Sequence, residues 1–179
     1  QLKKIEIGTV IKQDILENQV RSIYLGIGSN LGDRKKNIEK AKFKLSENGI
    51  KTLKTSNYYE SMSWPNPKNP KFLNIVIEIR TSLGPLELLN ICKQIEKNLG
   101  RKKSIRNSPR ICDIDILDYN KKCLSKGIIL PHPRMHSRNF VLLPLFEINK
   151  DWFHPVLKNH IKRLILLLSN RDITSIKQI

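Results

Sequence analysis

Two aspartates one residue apart, Asp113 and Asp115, sit inside an otherwise apolar run, Ile111-Cys112-Asp113-Ile114-Asp115-Ile116-Leu117. Short, isoleucine-rich and alternating, the run predicts a β-strand. On a strand, residues i and i+2 share a face, roughly 6.6 Å apart along the chain. Both carboxylates therefore point one way, and Cys112, Ile114 and Ile116 point the other. One side of this strand must enter a core while the other presents two like charges. Those charges repel and lose hydration as their surroundings fill, and a cation removes the cost. Hard oxygen ligands with no Cys or His at matching spacing favour Mg²⁺, a cation that proteins usually share with phosphates.

The rest of the chain supplies partners for such a strand. Residues 22–28 read as a first strand, followed by a Ser29-Asn30-Leu31-Gly32-Asp33 turn. A helix over about 34–48 follows, with Ile38, Ala41 and Leu45 on its apolar face and Asn48-Gly49 at its end. Residues 50–61 predict a second strand. Three prolines between 64 and 70 exclude regular structure and predict an exposed loop. A third strand over 72–81 places Leu73, Ile75, Ile77 and Ile79 on one face. Ser82 is expected to cap a helix from about Pro85 to Leu99, stopped by Gly100. The fourth strand spans 110–118, and Asn120-Lys121-Lys122 predicts a hairpin back to 127–130. Short helices are expected near 136–147 and 158–169. Interleaved strands and helices with hairpins predict an α+β sandwich whose sheet is antiparallel or mixed. The polar first 21 residues read as an extension of unknown role, and 22–179 as one domain.

The length, 179 residues, suits one domain with a substantial core. No apolar run approaches the roughly 20 residues of a membrane span, and the opening residues are not expected to act as a signal peptide. Three cysteines without CxxC spacing predict reduced thiols and a cytoplasmic location. The net charge of +17 admits a nucleic-acid partner, a small polyanion or compositional drift. Lysines such as Lys35, Lys36, Lys40 and Lys44 read as a solvated helix face. Arginines are fewer and clustered, at Arg101, Arg106 and Arg110 and again at Arg134 and Arg138. Their planar guanidinium groups suit phosphate oxygens better than ammonium groups do.

Gly26-Ile27-Gly28-Ser29-Asn30-Leu31-Gly32 fits neither GxGxxG nor a P-loop, so it reads as a structural glycine-rich turn. A phosphate site must then be built from side chains and metal. Arg101, Lys103, Arg106 and Arg110 precede the aspartate pair, and His132 and Arg138 follow it. Asn74, flanked by Leu73 and Ile75, is a polar amide in an apolar strand and needs hydrogen-bonding partners, which a ligand can supply.

With Pro109-Arg110-Ile111-Cys112-Asp113-Ile114-Asp115-Ile116-Leu117 as its strongest motif, the sequence resembles the 6-hydroxymethyl-7,8-dihydropterin pyrophosphokinase family. The resemblance spans about residues 22–170. Supporting segments are Gly28-Ser29-Asn30-Leu31-Gly32-Asp33, Phe72-Leu73-Asn74, Gly100-Arg101 and the stretch from Leu130-Pro131-His132-Pro133 to Pro144-Leu145. It implies a ferredoxin-like α/β/α sandwich with a mostly antiparallel sheet. The implied reaction moves diphosphate from ATP to the hydroxymethyl group of the pterin and releases AMP, in folate biosynthesis. Asp113 and Asp115 would bind two Mg²⁺ ions. Arg101, Arg110, His132 and Arg138 would contact ATP, with Lys103 and Arg106 on a loop closing over it and Glu96 nearby; Arg101 and Arg110 join the aspartates as catalytic groups. Asn74 would hydrogen-bond the pterin between Phe72 and Phe140, with Ser61 and the backbone of 62–64 completing the pocket.

Asn107 stands where many members have Trp, Ser108 replaces a common Gly, and Phe72 replaces a frequent Tyr. Small-molecule substrates, a monomer, and no nucleic-acid or membrane partner are expected. No residue stands out as a general base. The rival reading is an RNA-binding ferredoxin-like domain, which would need exposed sheet aromatics; aromatics make up 6% of the chain. A family member that has lost activity is a further alternative, opposed by the intact Asp113, Asp115, Arg110, His132 and Asn74.

Overall fold

A computed structural model describes residues 22–63, 66–101 and 108–179. Strand β1 (Ile23–Ser29) runs through the middle of a six-stranded sheet, between β5 (Asp113–Tyr119) and β4 (Phe72–Arg80). The two short strands β2 (Lys51–Thr55) and β3 (Tyr59–Ser61) share the outer edge of β4, and β6 (Lys177–Gln178) adds to β3. Every pairing between these strands is antiparallel. Helix α1 (Arg34–Glu47) connects β1 to β2, and α2 (Pro85–Asn98) connects β4 to β5. With β2 and β3 taken as one broken edge strand, this is the βαββαβ order of a ferredoxin-like fold, an α+β sandwich as expected.

Both faces of the sheet are covered. On one, Leu25, Ile27, Ile75, Ile77, Ile114 and Ile116 pack under α1 and α2 through Ile38, Ala41, Leu45, Leu88, Cys92 and Ile95. On the other, Tyr24, Val76 and Leu117 pack against α3 (Asn139–Ile148) and α4 (Ile161–Leu166) through Val141, Leu142, Leu145, Ile161 and Leu164. Leu73, Ile75, Ile77 and Ile79 of β4 thus face one core, Val76 enters the second, and Asn74 and Glu78 are buried polar residues on that second face, so the strand is buried from Leu73 to Ile79. A register shift between Tyr24 and Leu25 bulges β5. Asp118 comes to the α3 side there, where its carboxylate accepts the Trp152 indole N–H at 2.8 Å.

Several boundaries differ from expectation. The strand predicted over 50–61 is broken at Ser56, whose hydroxyl accepts the Val76 N–H at 3.0 Å, while its own N–H donates to Val76 O. A side chain thus takes a ladder position and the backbone turns away. Gly84, not Ser82, caps α2: its N–H donates to the Glu87 carboxylate at 2.7 Å and Pro85 opens the helix. Strand β5 begins at Asp113 rather than 110. The expected hairpin shrinks to one bridge, Leu124 to Leu130, after a turn with positive φ at Asn120 and Lys121. The predicted 136–147 helix is a 3₁₀ turn (Met135–Ser137) followed by α3. Helix α5 (Asn170–Thr174) and strand β6 were not anticipated. No helix among the described residues is long and apolar enough to cross a membrane.

Candidate active site

The second sheet face changes character along its length. At one end it is apolar and covered; at the other, Gly26, Gly28, Asn74, Asp113 and Asp115 stand where large apolar side chains would otherwise sit. Strand pairing makes the arrangement compact: Gly28 lies opposite Asn74 on β4 and opposite Asp113 on β5, and Gly26 lies opposite Asp115. Cross-strand neighbours project to the same face. The two glycines are therefore the floor of a hollow, with an amide on one wall and two carboxylates on the other. A Cβ on Gly28 would lie 2.8 Å from Asn74 Oδ1 and 3.4 Å from the Phe72 ring. The sequence reading placed both glycines at the end of the first strand and also within a structural glycine-rich turn; they lie in β1, where their lack of side chains leaves room for Leu117 beside Gly26 and for Asn74 and Phe72 beside Gly28.

Each aspartate is engaged by cations. Arg101 Nη1 donates to Asp113 Oδ1 at 2.7 Å, and Arg110 Nη1 is 3.5 Å from the same oxygen. Arg138 Nη1 lies 3.3 Å from Asp115 Oδ2, with His132 Nε2 at 3.7 Å. The aspartate side chains keep 22% and 33% of their surface exposed, so both remain open to a ligand. The backbone places these groups deliberately. Gly100, at φ +99°, ends α2 and turns the chain so that Arg101 points back at β5. Arg110 is fixed by Asn30, which accepts the Arg110 N–H at 2.7 Å and donates its own N–H to Arg110 O. His132 follows the cis Leu130–Pro131 bond and donates its N–H to Leu117 O at 2.8 Å.

Glu96 is 1% exposed and lies beneath β5. Its carboxylate accepts the Ile114 N–H at 2.7 Å and pairs with Arg101 at 2.5 Å and Lys93 at 3.0 Å. Glu96 therefore orients Arg101 from behind. Burial alone would lower the Arg101 pKa, but Asp113 and Glu96 outweigh it and hold the guanidinium charged. Burial lowers the His132 pKa; Asp115 opposes that shift, and Arg138 and Arg134 reinforce it. His132 Nδ1 accepts the Arg134 N–H, which leaves Nε2 facing Asp115. Burial pushes the Cys92 and Cys112 thiols up to about 12, so both are inert core residues.

Beside the carboxylates, Asn74 Nδ2 donates to Ser61 Oγ at 3.0 Å, and Phe72 stands opposite Ser61 on the paired strand. Phe140 opens α3. Arg110 lies over the Phe72 ring at 5.6 Å and Arg138 over the Phe140 ring at 5.3 Å, both within cation–π range. The structure thus contains two parallel chains, Phe72–Arg110–Asp113 and Phe140–Arg138–Asp115. Ser61, Phe72, Asn74, Glu96, Arg101, Arg110, Asp113, Asp115, His132, Arg138 and Phe140 fall into this one region through shared strands or direct contacts. Lys103 and Arg106, with Asn107 and Trp64, lie outside the described residues. Asn30 was quoted in a motif but given no role. It is 2% exposed and also donates to Ser63 Oγ and Pro70 O, tying the loop before β4 to the loop before β5. A buried asparagine in a polar turn is the signal that could have found it.

No group of three or more His, Cys, Asp or Glu among the described residues could hold a metal alone. The donor set is two partly exposed hard carboxylates on one strand face. It fits Mg²⁺, which takes one or two protein carboxylates and completes its shell with water and phosphate oxygens.

The family model described as 7,8-dihydro-6-hydroxymethylpterin-pyrophosphokinase matches residues 24–150. The 2-amino-4-hydroxy-6-hydroxymethyldihydropteridine pyrophosphokinase of Aquifex aeolicus is 42% identical over 142 residues, covering 79% of this chain and 88% of that protein. The Bacillus subtilis protein of the same name is 42% identical over 127 residues, covering 70% and 76%. The folic acid synthesis protein fol1 of Pneumocystis carinii is 46% identical over 143 residues; the match is 78% of this chain but 19% of that protein. The crystal structure of Plasmodium falciparum HPPK-DHPS with pteroate shares the fold, with a TM-score of 0.69 at 18% identity, over 89% of this chain and 46% of that one. The chain belongs to the 7,8-dihydro-6-hydroxymethylpterin-pyrophosphokinase family.

Proposed function

We propose that the protein transfers diphosphate from ATP to the hydroxymethyl oxygen of 6-hydroxymethyl-7,8-dihydropterin, a step of folate synthesis. The observation that carries this reading is the juxtaposition, across Gly28, of the Asn74–Ser61 amide pair with the arginine-held Asp113 and Asp115. One wall of the hollow suits a flat, hydrogen-bonding ring and the other a polyphosphate with its cation. In the reaction the alcohol oxygen attacks the β-phosphorus. The bond from that phosphorus to the oxygen bridging the α-phosphate breaks, AMP leaves, and the hydroxyl proton is lost.

The protein's part is positioning and charge neutralisation. Arg101, Arg110 and Arg138, with His132, meet phosphate oxygens, and Lys103 and Arg106 are assigned to the nucleotide on the family resemblance. Glu96 sets Arg101. Asn74 and Ser61 read the pterin edge, and Phe72 and Phe140 flank its faces. Asp113 and Asp115 would hold two Mg²⁺ ions, which supply neutralising charge to the attacking and leaving oxygens when bound. We read the protein as a monomeric enzyme of a reducing, cytoplasmic-type compartment, in keeping with its free cysteines. We assign it small-molecule substrates and no nucleic-acid partner. We take 22–179 as the catalytic domain and 1–21 as an appended segment.

AMP release measured with ATP, Mg²⁺ and the hydroxymethyl pterin tests the proposal. Release should need all three. Release that ignores the pterin, or none under any condition, overturns it.

A further inference from the structure

The family match ends at residue 150, yet the described chain continues to 179 and returns to the site. Its last ten residues form α5 and β6. They touch α3, which carries Phe140, and β3, which carries Ser61 and pairs with the strand that carries Phe72. On the helix side, Asn139 Nδ2 donates to Asp172 O at 2.5 Å and to Ser175 Oγ at 3.2 Å. The same side chain, through Oδ1, accepts the Phe140 N–H at 2.7 Å. One amide thus holds both the tail and the backbone that aims Phe140. Ser169 caps α5 by accepting the Asp172 N–H, so the receiving carbonyl sits in an ordered turn.

On the strand side, β6 pairs with β3, Tyr59 opposite Gln178 and Glu60 opposite Lys177, and the Ile179 N–H donates to Tyr58 O at 2.9 Å. Strand β3 is three residues long, and its other edge pairs Tyr59 with Asn74 and Ser61 with Phe72. An edge strand this short gains much of its definition from a second neighbour. The two sides are also joined directly: Tyr59 Oη donates to Glu147 of α3 at 2.9 Å, with Gln178 Oε1 at 3.4 Å. Burial and then the Glu147 carboxylate raise the Tyr59 pKa, so the phenol remains a donor.

We propose that residues 170–179 form a clasp that sets the separation between the Ser61–Phe72–Asn74 wall and Phe140, and so tunes the site for its acceptor rather than for its nucleotide. The proposal rests on the assignment of that hollow to the pterin. Asn139 and the tail are positioning elements; neither is placed among the groups that meet phosphate.

Two variants test it, a chain ending after Ser169 and Asn139→Ala in the full chain. Each should raise the KM for the hydroxymethyl pterin about tenfold and leave the KM for ATP within about twofold. Asn139→Ala added to the truncated chain should cost less than it does in the full chain, because the tail contacts it removes are already gone. Amide hydrogen exchange should show lost protection at Phe140 and Tyr59–Ser61 in both variants, a readout that needs no turnover. Unchanged pterin KM, an equal rise in both KM values, or undiminished protection at those amides overturns the clasp. An unmodified chain that releases no AMP while the exchange changes appear refutes the activity and not the clasp.

Discussion

Replacing Gly28 with Ala adds one methyl group at the centre of the candidate site. Gly28 lies between Asn74 and Asp113, and its new Cβ would sit 2.8 Å from Asn74 Oδ1, well inside van der Waals contact. The backbone cannot yield easily, because β1 is paired on both sides. The Asn74 side chain must therefore shift by about half an ångström, enough to stretch its 3.0 Å bond to Ser61 beyond useful length. Overpacking of this kind costs about 1–3 kcal/mol, and the lost hydrogen bond is part of that figure. Ala restricts the unfolded chain more than Gly and returns about 0.4–1 kcal/mol. Net destabilisation should be about 1–2 kcal/mol, a fall in Tm of about 2–8 °C for a chain of this size.

The larger effect should fall on ligand binding. A displaced amide leaves ring donors and acceptors unmatched, at a cost of about 1–3 kcal/mol, which is about five- to 150-fold in pterin affinity. ATP affinity should change by less than about threefold, since the three atoms nearest the added carbon belong to Asn74 and Phe72 and none to Asp113. Calorimetric titration of the pterin in the presence of a non-hydrolysable ATP analogue, with melting curves, measures both. Undiminished pterin affinity in a folded Gly28→Ala protein would show that Asn74 is not the ring-reading group and that the hollow has another purpose.

Asp115→Ala should abolish AMP release while the chain still folds; near-normal turnover in that variant would remove the metal assignment, and chelation of Mg²⁺ should stop the unmodified protein in the same way. Glu96→Gln keeps an acceptor for the Ile114 N–H but removes the charge facing Arg101; stability should fall by about 1–3 kcal/mol and turnover by about tenfold, read from melting curves and kcat together. His154 is buried among Trp152 and His136, and burial, then His136, holds its pKa near 4, below the usual 6.5. The unfolded chain then binds the extra proton first, so stability should be level above about pH 6.5 and fall progressively between 6.5 and 4. His154→Asn should flatten this part of the Tm-versus-pH curve relative to the unmodified protein, and an unchanged slope would refute the assignment.

How much of this was legible in the sequence depended on whether a residue's role was local. The same-face placement of Asp113 and Asp115 follows from strand geometry alone, and the structure has them on one face with Cys112, Ile114 and Ile116 buried behind. The core stripe of α1, Ile38, Ala41 and Leu45, followed equally from its spacing. What could not be read was pairing. Gly26 and Gly28 fall at the end of the predicted first strand, but their purpose is hidden until β4 and β5 are laid on either side and Asn74, Asp113 and Asp115 appear as their neighbours. Ser56 looks like an ordinary strand residue until its hydroxyl is seen in the ladder of β4. Glu96 carries no local sign that it reaches beneath β5. The C-terminal tail was invisible for the same reason: α5 is five residues and β6 two, too short to have a period, and each is stabilised by a partner more than thirty residues away.

The charge balance of the site explains why its parts occur together. Among the described residues, the side chains of Lys93, Arg101, Arg110 and Arg138 set four cations against the carboxylates of Glu96, Asp113 and Asp115. The excess is a single positive charge, which is modest in a chain of net charge +17. Without a ligand this near-neutrality is what allows three arginines and three acids to stand close together, each paying part of the other's desolvation. A triphosphate brings more negative charge than one excess cation can balance. Drawing the arginines toward phosphate would also leave Asp113 and Asp115 uncompensated on one face. On the proposed function both deficits would be met by the same addition: divalent ions, which Asp113 and Asp115 would hold, would supply the missing positive charge. On that proposal the aspartates that look anomalous in an apolar strand would be needed so that the arginines are free to leave them.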